Sequence, residues 1–193
     1  MKPYYLHSNF YFFMDFILPI IMMFTILILF AEDLGKKNFE FVNSLPISKF
    51  RFLFVRYLRI SLLVFIPYTA MLCLFNHYAN KKIENKVSFV RLLELTMPTA
   101  LFLMALALFV IVLTRKLFYS VIICGSYLLF DASSMGNFLN DKTLFISMYV
   151  QKFSPKQISD NRVCFFMLTF VLILSAYLIF RSKIYNQILD RLR

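Results

Sequence analysis

The sequence predicts an all-α fold, a polytopic membrane helical bundle with about five transmembrane helices. Hydrophobic residues make up 61% of the 193 positions and the mean hydropathy is +0.73, whereas soluble domains are only about 45–50% apolar. Five apolar stretches approach the ~20 residues that a helix needs to cross ~30 Å of hydrocarbon. Their apolar residues are continuous and do not alternate with polar ones, which favours helices over the strands of a barrel.

The predicted spans cover residues 10–31, 57–75, 95–114, 117–130 and 163–180, all within one transmembrane domain, residues 1–193. The first stretch is too long for the apolar core of a signal peptide and no small-residue cleavage site follows it, so we expect a true span. In the third span, Glu94 and Pro98 are expected in the first helical turn, where an acid and a proline are both favourable.

The chain has a net charge of +11 and contains 21 Lys and Arg. In a membrane protein this excess is typical of contact with anionic lipid, and it does not indicate nucleic-acid binding. Because basic residues prefer the cytosolic side, residues 32–56, residues 115–116 and the C-terminal tail are predicted to be cytosolic. With Arg59, these segments hold 12 of the 21, namely Lys36, Lys37, Lys49, Arg51, Arg56, Arg59, Arg115, Lys116, Arg181, Lys183, Arg191 and Arg193.

The polar segment 32–56 separates the first two spans. A short helix over 36–44 would place Phe39 and Val42 on one face, and Pro46 would end it. Ser48 is a suitable N-cap for the next helix. Three basic residues on that helix fall within about 80° of one another and can extend to lipid head groups; they are Lys49, Arg56 and Arg59. The pattern fits either an ordinary basic membrane-proximal loop or a rigid cytosolic protrusion.

The residues "FAEDLGKKNFEFVNSLPISKFRFLFVRYL" resemble a segment of ABC-2 type (type V fold) ABC transporter permeases. In that family an E-[FL]-x-x-S-L-P-I-S-[KR] run follows a span and forms the coupling helix, which docks in a groove of the cytosolic ATPase. The residues that match are Glu40, Phe41, Ser44, Leu45, Pro46, Ile47, Ser48 and Lys49. The resemblance implies an ATPase-coupling site made of Phe39, Glu40, Phe41, Ser44, Leu45, Pro46 and Ile47.

The same resemblance implies an architecture and a set of partners. The chain would be a single permease domain, multi-pass in the cell (plasma) membrane, working with a cytosolic ABC ATPase subunit that binds ATP and Mg. A second permease subunit, identical or different, would complete the path. The family usually has six spans with the coupling helix after the second, whereas only one predicted span precedes the motif here.

Nothing in the sequence predicts catalysis, a cofactor or a metal on this chain. ATP hydrolysis needs a glycine-rich phosphate loop, and the chain has only three glycines, Gly35, Gly125 and Gly136. His7 and His77 are far apart and no other group has ligand spacing. An intramembrane enzyme would need paired acids or a Ser/His pair at membrane depth, and no such set occurs.

The expected function is therefore that of the transmembrane subunit of an ATP-driven exporter, with a hydrophobic or amphipathic substrate such as a peptide, a lipid-like compound or an antibiotic. Two alternatives remain open: a haem-export type permease, and a non-catalytic membrane assembly or immunity protein. The long connection that begins at Asp131 mixes apolar and polar residues over 137–150, which favours outer re-entrant or interfacial helices.

Overall fold

The structure, a computed structural model, describes residues 16–34, 48–82, 88–134, 143–144 and 154–182. The regular secondary structure within these ranges is entirely helical. In chain order the helices are α1 (Leu18–Asp33), α2 (Lys49–Lys82), α3 (Phe89–Thr114), α4 (Leu117–Ser133) and α5 (Pro155–Arg181). The predicted all-α class is thus confirmed for this part of the chain.

Among the described residues, three stretches are long and apolar enough to cross a membrane: Arg51–Tyr78 in α2, and the whole of α3 and of α5. Helix α4 is apolar but shorter, so the five predicted crossings stay a prediction. Other predictions concern residues outside the described ranges: the start of the first span at 10–15, the short helix 36–44, and most of the outer segment 137–150.

The long helices begin before the apolar spans that the sequence predicts, because polar residues cap them. Ser88 accepts a hydrogen bond from the Arg91 amide at 3.2 Å and starts α3. Glu94 and Pro98 therefore lie in the second and third turns, and their expected place in the first turn is wrong. Ser154 starts α5 with a capping box, in which its amide donates to Gln157 Oε1 at 2.8 Å.

Helix α3 is the centre of the bundle and packs against the other four helices. In the most apolar 18-residue stretch of α3, 72% of the residues are buried, compared with 18% in that of α2 and 22% in that of α5. Small side chains such as Ala100, Ala105 and Ala107 are fully buried and let neighbouring helices approach closely. The outward faces of α2 and α5 are apolar and exposed, as lipid-facing surfaces are.

Side-chain contacts fix the directions of the helices. Phe102 of α3 and Phe165 of α5 lie edge to face with ring centroids 4.9 Å apart. Three residues earlier on both helices, Arg162 donates to Thr99. Because both contacts advance in the same direction along the two helices, α3 and α5 run parallel. Phe52, near the start of α2, stacks on Phe180 at the end of α5 with centroids 6.1 Å apart. We call this end of the bundle, where α1, α3 and α5 finish and α2 and α4 begin, the basic end, and the opposite end the loop end.

Candidate functional site

The two ends of the predicted coupling segment lie at the basic end, between α1 and α2. The seven predicted ATPase-coupling residues themselves (Phe39, Glu40, Phe41, Ser44, Leu45, Pro46 and Ile47) lie outside the described residues. What the structure describes is how the flanking residues are held. The geometry of the segment's attachment can therefore be built from Leu34 and Asp33 on one side and from Ser48 onward on the other.

Both attachment points are capped. The Leu34 amide donates to Phe30 O at 2.9 Å, and the Leu34 side chain is only 1% exposed, so the end of α1 is anchored in the core. On the other side, Ser48 Oγ accepts from the Arg51 amide at 3.2 Å. This confirms the predicted N-cap and fixes the direction in which α2 begins.

An ion pair joins the two helices across the segment. Arg56 Nε donates to Asp33 Oδ2 at 2.7 Å and Nη2 donates to Oδ1 at 3.2 Å. Asp33 is the last residue of α1, where the partial negative charge of the helix end disfavours a carboxylate, and the guanidinium offsets that charge. The side chains of Arg56 and Asp33 are 39% and 20% exposed, so we expect the pair to contribute about 1 kcal/mol, the upper part of the range for exposed pairs, because its geometry is bidentate.

Beside this ion pair lies a cavity of about 290 Å³. We call it the basic cavity. Among the described residues, its lining contains three guanidinium groups and a single carboxylate; these lining residues are Asp33, Arg51, Phe52, Val55, Arg56 and Arg59. The predicted lipid-contacting residues Arg56 and Arg59 are thus brought together, while the Lys49 side chain lies outside the described part. Arg51 was not predicted as a lipid-contacting residue. It lies four residues before Val55 and eight before Arg59, a spacing that places all three on one face of α2.

The start of α2 is also connected to the rest of the bundle. Phe52 stacks on Phe180 with an angle of 17° between the rings, and Phe180 is buried. Leu53, Tyr57 and Ile60 are buried along the inner face of α2. A displacement of residue 48 would therefore reach α1 through Arg56 and α5 through Phe52.

At the loop end, a second group of polar side chains, together with the backbone of Leu144, is buried between α3, α4, α5 and the outer connection. We call it the loop-end cluster; it consists of Thr99, Asp131, Thr143, Leu144, Asn161 and Arg162. Asp131 Oδ2 accepts from Thr143 Oγ1 and from the Leu144 amide, both at 3.0 Å. Asn161 Nδ2 donates to Thr143 O at 3.0 Å, and Arg162 Nη1 donates to Leu144 O at 3.3 Å.

The loop-end cluster attaches the outer connection to the bundle. Residues 143–144 donate hydrogen bonds to Asp131 of α4 and accept them from α5, and Thr99 Oγ1 of α3 donates to Leu144 O at 3.1 Å. The sequence predicted a structured outer connection after Asp131 but missed Asn161 and Arg162. The available signal was that Asn161 and Arg162 form a polar pair immediately before a long apolar run. Polar side chains so close to lipid usually have buried partners.

Other candidate groups give no site in the described ranges. Glu94 forms an exposed ion pair with Arg91 on the same helix, at 2.7 Å. Within those ranges, no three His, Cys, Asp or Glu side chains come close enough together to hold a metal ion. Among the described residues, the two candidate sites are thus the basic cavity with its ion pair and the loop-end cluster.

Comparison of the chain with protein-family models, with curated proteins and with solved structures gives no match.

Proposed function

We propose that this chain is the transmembrane permease subunit of an ATP-driven ABC-2 type exporter, multi-pass in the cell membrane. In this proposal the coupling segment 32–56, with its short helix over 36–44, receives the motion of a separate cytosolic ABC ATPase, which supplies ATP and Mg binding. A second permease subunit completes the path. The exported substrate is hydrophobic or amphipathic, such as a peptide, a lipid-like compound or an antibiotic.

The observation that carries the proposal is the attachment of the motif-bearing segment. The run from Glu40 to Lys49 matches the family pattern, and it joins two helices whose facing ends are held by the Asp33–Arg56 ion pair. A coupling helix works only if its displacement is passed to the spans. A capped start at Ser48 and the stacking of Phe52 on Phe180 supply such a connection.

The charge distribution supports a cytosolic position for the segment. By helix position, the basic end carries Lys49, Arg51, Arg56, Arg59, Arg115, Lys116 and Arg181, and the loop end carries Lys81, Lys82, Arg91, Lys156 and Arg162. Basic residues are enriched on the cytosolic side of membrane proteins. The excess of basic residues at the basic end is thus the one expected if that end faces the cytosol, where an ATPase would dock.

The experiment is purification of the full chain from membranes of its own host, followed by identification of co-purifying proteins and measurement of their ATPase activity. We expect a nucleotide-binding subunit to co-purify. Glu40→Arg and Leu45→Arg should leave membrane insertion intact but abolish stimulation of the ATPase. Asn38→Arg, which adds the same single charge as Leu45→Arg but lies just outside the matched run, is the control and should retain stimulation.

The sidedness of the segment gives an independent test. In a chain whose cysteines at 73, 124 and 164 are replaced by Ala, a single cysteine introduced as Asn43→Cys should resist a membrane-impermeant maleimide in intact cells and react after permeabilisation. Labelling in intact cells would overturn the proposal. A chain that purifies without an ATPase, and whose segment variants have no effect, would instead favour the assembly or immunity alternative.

A further inference from the structure

The basic cavity has an excess of cationic groups that the described residues do not neutralise. Arg56 is paired with Asp33, which leaves the guanidinium groups of Arg51 and Arg59 without an ion-pair partner among the described residues. Both are on exposed residues of α2 that line the cavity. The described lining residues therefore carry a net charge of +2. Guanidinium groups are well suited to phosphate because they donate in a planar fork.

The size of the cavity limits the ligand. Its volume of about 290 Å³ is at the lower end of the ~300–1,000 Å³ typical of small-molecule sites. A phosphate with a small polar substituent fits such a space, whereas a nucleotide or a folded partner does not. The aromatic wall supplied by Phe52 and the aliphatic wall supplied by Val55 can cover the uncharged part of the ligand.

The position of the cavity along α2 indicates where the phosphate comes from. Beyond Arg59 the exposed surface of α2 becomes continuously apolar: Leu62, Leu63 and Ile66 are 55%, 69% and 66% exposed. Arg51 and Arg59 are separated by about 12 Å along the helix axis, at 1.5 Å per residue. The cavity thus lies at the boundary between a polar and a lipid-like surface, where phospholipid head groups are found and where Arg side chains extend to reach them.

We propose that the basic cavity binds the phosphate of an anionic membrane lipid through Arg51 and Arg59, with the lipid's acyl chains lying on the apolar face of α2. Asp33 competes with the lipid by holding Arg56 and by placing its carboxylate in the cavity wall. This site depends only on membrane insertion, so it stands or falls independently of the exporter function.

The test uses the full chain in nanodiscs that contain equal amounts of phosphatidylglycerol and phosphatidylcholine. Native mass spectrometry after release measures the ratio of protein carrying one phosphatidylglycerol to protein carrying one phosphatidylcholine. Because each substitution removes charge-assisted hydrogen bonds to the bound phosphate, Arg51→Gln and Arg59→Gln should each lower this ratio about tenfold, and the double variant about a hundredfold. Asp33→Asn should raise the ratio.

Lys116→Gln is the matched control, because Lys116 is exposed at the same end but does not line the cavity; it should change the ratio less than twofold. Equal losses in the Lys116, Arg51 and Arg59 variants would mean general surface attraction and would overturn the site.

A second arm titrates inorganic phosphate into nanodiscs of phosphatidylcholine alone. Saturable binding that is lost in the double variant and unaffected by added phosphatidylglycerol would assign the cavity to soluble phosphate and overturn the lipid. Circular dichroism confirms that each variant keeps its helix content.

Discussion

The clearest quantitative prediction concerns Asp131, which holds the outer connection at the loop end. The carboxylate is 1% exposed, and its Oδ2 atom accepts from the Thr143 hydroxyl and the Leu144 amide, both at 3.0 Å. In Asp131→Ala both bonds are lost and the fully buried Leu144 amide has no acceptor in this position. Leaving a buried donor unsatisfied costs about 1–3 kcal/mol.

Two lost bonds at about 1.5 kcal/mol each give a local destabilisation of about 3 kcal/mol. Every 1.4 kcal/mol corresponds to a factor of ten, so the opening equilibrium of residues 143–144 should rise on the order of 100-fold. Hydrogen exchange of the full chain in nanodiscs, followed by mass spectrometry of the peptide that contains Leu144, measures this directly because protected amides exchange only when the local structure opens.

Two comparison variants sharpen the test. Asp131→Asn keeps an acceptor oxygen in the same place and should accelerate exchange about tenfold or less. Asp160→Ala removes an exposed carboxylate at the same end and should leave exchange at Leu144 unchanged. If Asp131→Ala accelerates the exchange less than fivefold, the assigned hydrogen bonds do not hold the outer connection.

Three further predictions follow from the geometry of the helix ends. A double-mutant cycle with Asp33→Ala and Arg56→Ala, singly and together, should give a coupling of about 1 kcal/mol, and a coupling near zero would contradict the bidentate pairing. Ser154→Ala should destabilise the first turn of α5 by about 1 kcal/mol and accelerate exchange at Gln157, with no change expected at the far end of the helix. Gly125→Ala should be accepted without loss of thermal stability, because a Cβ there meets nothing within 4 Å; a lowered melting temperature would contradict the open space beside Gly125.

The apolar pattern of the sequence predicted the helices well and their boundaries poorly. Continuous apolar runs locate α2, α3 and α5, because a helix in lipid must satisfy its own backbone and can expose any apolar side chain. The same runs could not predict that α3 begins at Phe89, since the polar turn before the span continues the helix from the Ser88 cap. The S-x-x-Q spacing of Ser154 and Gln157 did carry that information for α5.

The candidate site divides in the same way into local and long-range features. The Ser48 cap could be predicted because capping depends on residues a few positions apart. The pairing of Asp33 with Arg56 and the stacking of Phe52 on Phe180 could not, because they depend on which helices become neighbours in space. Arg162 is the extreme case, because its hydrogen bond to Thr99 spans 63 residues of sequence. The polar pair that it forms with Asn161 before an apolar run indicates buried partners but does not identify them.

The two ends of the bundle are held by interactions of different strength, which bears on how the proposed exporter would move. At the loop end the bonds of Asp131 and Arg162 are buried, and hydrogen bonds are stronger where water is excluded. At the basic end the described connections between α1, α2 and α5 include a partly exposed ion pair and one aromatic stack, each of which contributes about 1 kcal/mol. A force applied at residue 48 would therefore separate or shift the helices at the basic end before it disturbed the loop end. The end with the more exposed polar contacts is the one to which the motif-bearing segment is attached. In the proposed exporter, this would let the motion of the ATPase enter the bundle at low energetic cost.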